Sequence, residues 1–95
     1  MTDRQYYEEK LKAKLDEWQA NIDKMRAQAR QAEADSRKQM EEEIDKLGTR
    51  RDEMVDQLEK LQKSNAAAWT EVKTGAEKAW HDMNEALERA RKHYS

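Results

Sequence analysis

The sequence predicts an all-α protein, read as one long, near-continuous coiled-coil helix that self-associates, with an antiparallel helical hairpin turning at Gly48 and Thr49 as the alternative. Three observations predict it. Ala, Glu, Lys, Leu and Arg make up about half of the 95 residues, the composition of a coiled coil or a long helix. Helix breakers are nearly missing, with no Pro and with Gly only at Gly48 and Gly75. Apolar residues recur at alternating spacings of four and three, a heptad seam that separates this chain from a disordered one of similar polarity. Leu, Ile and Val number only ten and Phe is absent, so a compact single-core enzyme is not expected.

The helical reading starts at Thr2, which forms a T-x-x-Q capping box with Gln5 and is supported by the acids Asp3, Glu8 and Glu9. The seam then runs Leu11, Leu15, Trp18, Ile22, Met25, Ala29, Ala32 and Ser36. Ser36, Met40 and Ile44 are spaced four and four, a stutter that locally unwinds a supercoil. With Ala29, Ala32 and Ser36 as its only core residues, "RAQARQAEADSRKQ" is expected to be the weakest stretch. A second run, Ile44, Leu47, Arg51, Met54, Leu58, Leu61 and Asn65, carries two polar members that can set register.

Two places offer an interruption. "KLGTRRDE" has Gly48 as a stop and Thr49 as a new cap, and "QKSNAAAW" has Ser64 or Asn65 as a cap. The seam passes Gly48 in phase, from Leu47 to Arg51, and one Gly inside a helix costs only about 1 kcal/mol. Continuity is therefore expected, giving a rod of roughly 140 Å.

The last third, "AWTEVKTGAEKAWHDMNEALERA", repeats every eleven residues: Trp69 matches Trp80, Val72 matches Met83, Ala76 matches Leu87, and Met83 matches Tyr94. Eleven residues make three turns plus about 20°, so this stripe stays on one face of a straight helix. Beside it Ala68, Gly75, Ala79, Ala86 and Ala90 form a small-residue flank that lets a neighbouring helix come close. Arg89, Arg91 and Lys92 suit the negative end of the helix. The chain is thus read as a single helical domain, 1–95, with heptad segments at 2–47 and 49–64 and a hendecad segment at 65–94.

Function classes follow from charge and pattern. Charged residues are 42% of the chain but nearly cancel, to a formal net charge of −2, which excludes a dedicated nucleic-acid binder. The short basic clusters, Arg50 with Arg51 and the stretch 24–30, lack the aromatic interleaving of such proteins. There is no Cys, and "MTDRQYYEEK" has no apolar leader, so cytoplasmic residence is expected. His81 and Glu85 stand at i and i+4 and could share a metal, but no third ligand is in view, and a solvated pair is the better reading. His93 suits the helix terminus, and "EEEID" at 41–45 lacks the Gly of a calcium loop. No cofactor, metal or catalytic residue is assigned.

The functional residues are those of the seam: Leu11, Leu15, Trp18, Ile22, Met25, Ile44, Leu47, Met54, Leu58, Leu61, Trp69, Val72, Ala76, Trp80, Met83, Leu87 and Tyr94. The expected partner is a second copy of the chain, or another coiled-coil protein, in a structural or adaptor role. The alternative is a peripheral lipid binder with Trp69 and Trp80 as interfacial anchors. Its polar face mixes acids with bases, so a membrane surface ranks below protein.

The stretches "YYEEKLKAKLDEWQANIDKMRAQARQAEAD", "EEEIDKLGTRRDEMVDQLEKL" and "AAWTEVKTGAEKAWHDMNEALERA" together resemble a family of small bacterial coiled-coil proteins, described as stress-response proteins or as proteins of unknown function. The closing phrase also resembles apolipoprotein helices. The resemblance implies a helix through the place of Gly48 and transfers no catalytic residue.

Overall fold

In the computed structural model the chain is described from Thr2 to Tyr94, with the side chains of residues 93 and 94 outside that description. It is all-α: α1 spans Asp3–Arg30, α2 Ala34–Lys63 and α3 Ala66–Tyr94. The capping box forms at the start of α1, where Thr2 Oγ1 accepts from the Gln5 N–H at 3.2 Å and Gln5 Oε1 accepts from the Thr2 N–H at 3.0 Å. At α3, Asn65 Oδ1 accepts from the Ala68 N–H at 2.8 Å. Asn65 thus serves as a cap, not as a polar layer of a continuing seam.

The chain does not extend as one rod. It measures 51 × 20 × 18 Å, about the length of one of its helices. Nor does it bend at Gly48, which lies inside α2; Thr49 donates its hydroxyl to the Asp45 carbonyl at 3.1 Å within that helix and caps nothing. The breaks fall at 31–33 and 64–65, and together they divide the 2–47 segment between α1 and α2. Energetics explain the folding back. Each turn gives up a few backbone hydrogen bonds, each worth about 0.5–1.5 kcal/mol net. Burying one Leu, Ile or Met side chain gains about 1.5–3 kcal/mol, and a lone rod would leave the whole stripe wet.

The helices lie side by side. Tyr7 meets Trp69 and Lys14 meets Trp80, so α1 and α3 run in the same direction, with α2 antiparallel to both. Leu11, Leu15, Trp18, Ile22, Met25 and Ala29 of α1 pack on Ile44, Leu47, Met54, Leu58 and Leu61 of α2 and on Ala76, Met83, Leu87 and Ala90 of α3. No Cα of α1 comes within 8 Å of one in α3 among the described residues, and Tyr7, Trp69 and Trp80 fill the gap between them. The α2 and α3 backbones approach more closely. Gly75 sits against Gln57 of α2, where an added Cβ would lie 3.2 Å from the side-chain oxygen. On α3, Trp69 and Trp80 of the bulky stripe meet α1, while Gly75 of the small flank and Val72 lie against α2.

Candidate interaction site

The seam residues assemble into a single core within one chain. Leu11, Leu15, Trp18, Ile22, Met25, Ile44, Leu47, Met54, Leu58, Leu61, Ala76, Met83 and Leu87 are buried, and Trp69, Val72 and Trp80 are half-buried against them. The side chains of Tyr94 and of His93 lie outside the described residues. Among the described residues, the large apolar side chains left exposed are Tyr6, at 63%, and Val55, at 37%. Little of the seam therefore remains as a free surface in the closed chain.

Arg51, the polar seam member of α2, turns its guanidinium sideways. It donates to Gln19 Oε1 of α1 and pairs with Asp52 at 2.8 Å, tying α1 to α2 at one register. The indole N–H groups of Trp18 and Trp69 are buried with no hydrogen-bond partner among the described residues. Each orphan donor costs about 1–3 kcal/mol, which the burial of so large a ring offsets.

At the end of the bundle that holds the α2–α3 turn, four side chains form a clasp. Arg4 Nη2 donates to the carbonyls of Leu61 at 2.8 Å, Gln62 at 3.3 Å and Ser64 at 2.7 Å, sharing its two N–H groups among them, so one guanidinium gathers the carbonyls that end α2 and places its charge at the negative pole of that helix. The same group stands 5.9 Å from the centre of the Trp69 ring. Tyr7 meets Trp69 edge-on, with centroids 5.6 Å apart and planes at 78°. Lys73 reaches back over both rings, 4.8 Å from Tyr7 and 5.6 Å from Trp69. Burial, and next the nearby Glu77 carboxylate, push the Tyr7 phenol above its ordinary value. Sequence reasoning missed Arg4 and did not assign Tyr7 to the seam, although the heptad count extended back from Leu11 reaches Tyr7 and then Arg4. One turn of polar residue at the end of the seam concealed the continuation.

The second feature is an open groove of about 630 Å³ between α2 and α3. Buried Leu47 and half-buried Ala86 lie at its base, with Lys46, Arg50 and Glu53 on one rim and Arg89 and Lys92 on the other. Its ion pairs are local ones, Glu43 with Lys46 at 3.6 Å, Arg50 with Glu53 at 3.2 Å and Arg89 with Glu85 at 3.7 Å. Exposed pairs of this kind contribute about 0–1 kcal/mol, so their charges are available to a partner at little cost. On the outer face of α3, His81 Nε2 lies 3.1 Å from Glu85 Oε1, both exposed. No group of three or more His, Cys, Asp or Glu side chains comes together as a metal site among the described residues. No described helix is long and apolar enough to cross a membrane. Comparison with known proteins finds no family model, no curated protein and no solved structure that matches the chain.

Proposed function

We propose that the protein is a non-enzymatic helical association module of the bacterial cytoplasm, a structural or adaptor element engaged under stress, whose first partner is a second copy of itself. The observation that carries this reading is the α2–α3 groove. Its base of Leu47 and Ala86 offers an apolar strip to the ridge of another helix, and the charges at helical spacing along its rims, of both signs on α2 and basic on α3, act as the e and g positions of a coiled coil do. In the closed chain the seam is spent on the intramolecular core, so association of closed chains uses this second surface. The lipid reading has less support, because Trp69 and Trp80 are engaged by Arg4, Tyr7, Lys73 and Lys14 inside the chain.

Sedimentation velocity over a wide range of concentration tests the proposal. The expected result is reversible self-association that the double substitution Arg50→Glu with Arg89→Glu weakens by at least about tenfold while leaving helix content unchanged. Both arginines are exposed, so the fold tolerates the change. A monomer at every concentration, or association indifferent to the charge reversal, overturns this groove as the interface.

A further inference from the structure

The two turns of this chain are built differently. At the α2–α3 turn Ser64 is extended (φ −76°, ψ 147°), its hydroxyl donates to the Leu61 carbonyl at 2.8 Å, Asn65 caps α3, and Arg4 holds three carbonyls. The α1–α2 turn has no such ties. Gln31 is still right-handed helical (φ −92°, ψ −7°), and the backbone bonds there run from Gln31 to Gln28 and from Ala32 to Ala29, each 3.2 Å. Glu33 is extended (φ −65°, ψ 156°) and its side chain caps nothing. No described residue has positive φ, and the turn contains neither Gly nor Pro.

Straightening this turn requires no residue to leave a conformation it favours. Ala32, Glu33 and Ala34 are strong helix formers, and rotation of Glu33 into the helical region restores backbone bonds that the turn forgoes. The apolar stripe also survives the change, since Met25, Ala29, Ala32, Ser36, Met40 and Ile44 are spaced by threes and fours throughout. Ser36 is exposed in the closed chain although it lies on that stripe. Its position has a packing role only if the helix is continuous.

We propose that the Gln31–Glu33 turn is a hinge, and that on opening α1 and α2 merge into one helix from Asp3 to Lys63 so that two copies exchange their α1 helices. Each α1 then packs on the α2 and α3 of the other copy, and Leu11, Leu15, Trp18, Ile22 and the Arg4 clasp re-form the same contacts between chains. Such an exchange costs little, because the interface already exists inside the monomer. The small side chains of Ala29, Ala32 and Ser36 let the two merged helices pass close to each other where they cross. This deepens the self-association reading, on which it rests, by naming a mode in which the core itself becomes the interface.

The test is Ala34→Pro. Ala34 is the first residue of α2, a position that accepts Pro, and Glu33 already holds the extended conformation required before one. In the merged helix the same Pro removes a backbone donor and clashes with the preceding turn. Wild-type protein, concentrated or cooled from the unfolded state, is expected to give a dimer, and Ala34→Pro to lower its association constant by at least about a hundredfold while the monomer keeps its helix content. Ser36→Leu is expected to raise the dimer fraction. Dimer formation equal to wild type in Ala34→Pro, with loss only on Arg50→Glu with Arg89→Glu, overturns the hinge and leaves groove association standing. Dimer lost in Ala34→Pro but retained in the charge-reversed protein supports the hinge and removes the groove. A monomer in all variants, Ser36→Leu included, overturns both.

Discussion

Arg4 illustrates how one side chain can decide the geometry of a turn sixty residues away. Its Nη2 shares two charged N–H groups among three carbonyls at the end of α2, and the Leu61 carbonyl among them belongs to a fully buried residue. Hydrogen bonds to charged groups contribute about 1.5–3 kcal/mol, and the Trp69 contact adds about 0.5–1 kcal/mol for a partly exposed cation–π pair. Arg4→Ala is therefore expected to destabilise the bundle by about 2–3 kcal/mol in urea unfolding, and Arg4→Lys to recover less than half of it, because the ammonium lacks the planar guanidinium face set against the Trp69 ring and the Nε–H that meets Glu8. Gly48 offers the opposite case. A Cβ built there meets nothing within 4 Å and the residue is helical, so Gly48→Ala should stabilise the protein by about 1 kcal/mol, read as a rise of about 4–8 °C in Tm.

At the scale of elements, what could be read from the sequence follows from which signals are local. The capping box of Thr2 and Gln5 and the passage of α2 through Gly48 depend on neighbours in the chain and were visible there, whereas Asn65 offered both a cap and a polar seam position, and the expected continuity passed over the break it caps. The α1–α2 turn was not, because Gln31, Ala32 and Glu33 are helix-compatible residues and the reason to bend is the burial of Ile22 and Met25 against distant helices. The weakness of that stretch was legible; its use as a turn was not. The same distinction applies to Trp80. On the sequence it belongs to a stripe facing outward to a partner, but it stands half-buried between α1 and α3 with Lys14 5.2 Å from its ring. Trp80→Glu is thus expected to lower the stability of the monomer by about 2–3 kcal/mol, less than for a fully buried Trp, and not merely to disturb assembly. Anionic vesicles added to the wild-type protein should leave Trp fluorescence in place under native conditions. A blue shift with the fold intact would mean that the rings leave the α1–α3 contact for lipid.

For the whole molecule, the decisive quantity is length, because the rod and the folded bundle share the same helix content and the same apolar stripe. Circular dichroism cannot separate them. The bundle has a Cα radius of gyration of 15.4 Å, whereas a rod of roughly 140 Å would have one of roughly 40 Å. Charge repulsion does not favour the longer form, since acids and bases nearly cancel and the ion pairs join close neighbours, mostly on successive turns of one helix. Small-angle scattering of dilute protein is accordingly expected to give a radius near that of the bundle, nearly independent of salt. Raising the concentration should add a larger species of intermediate length, because a merged helix of α1 and α2 still carries α3 folded back on α2. A dilute-solution radius close to the rod value would show that the stripe is covered by other chains from the start.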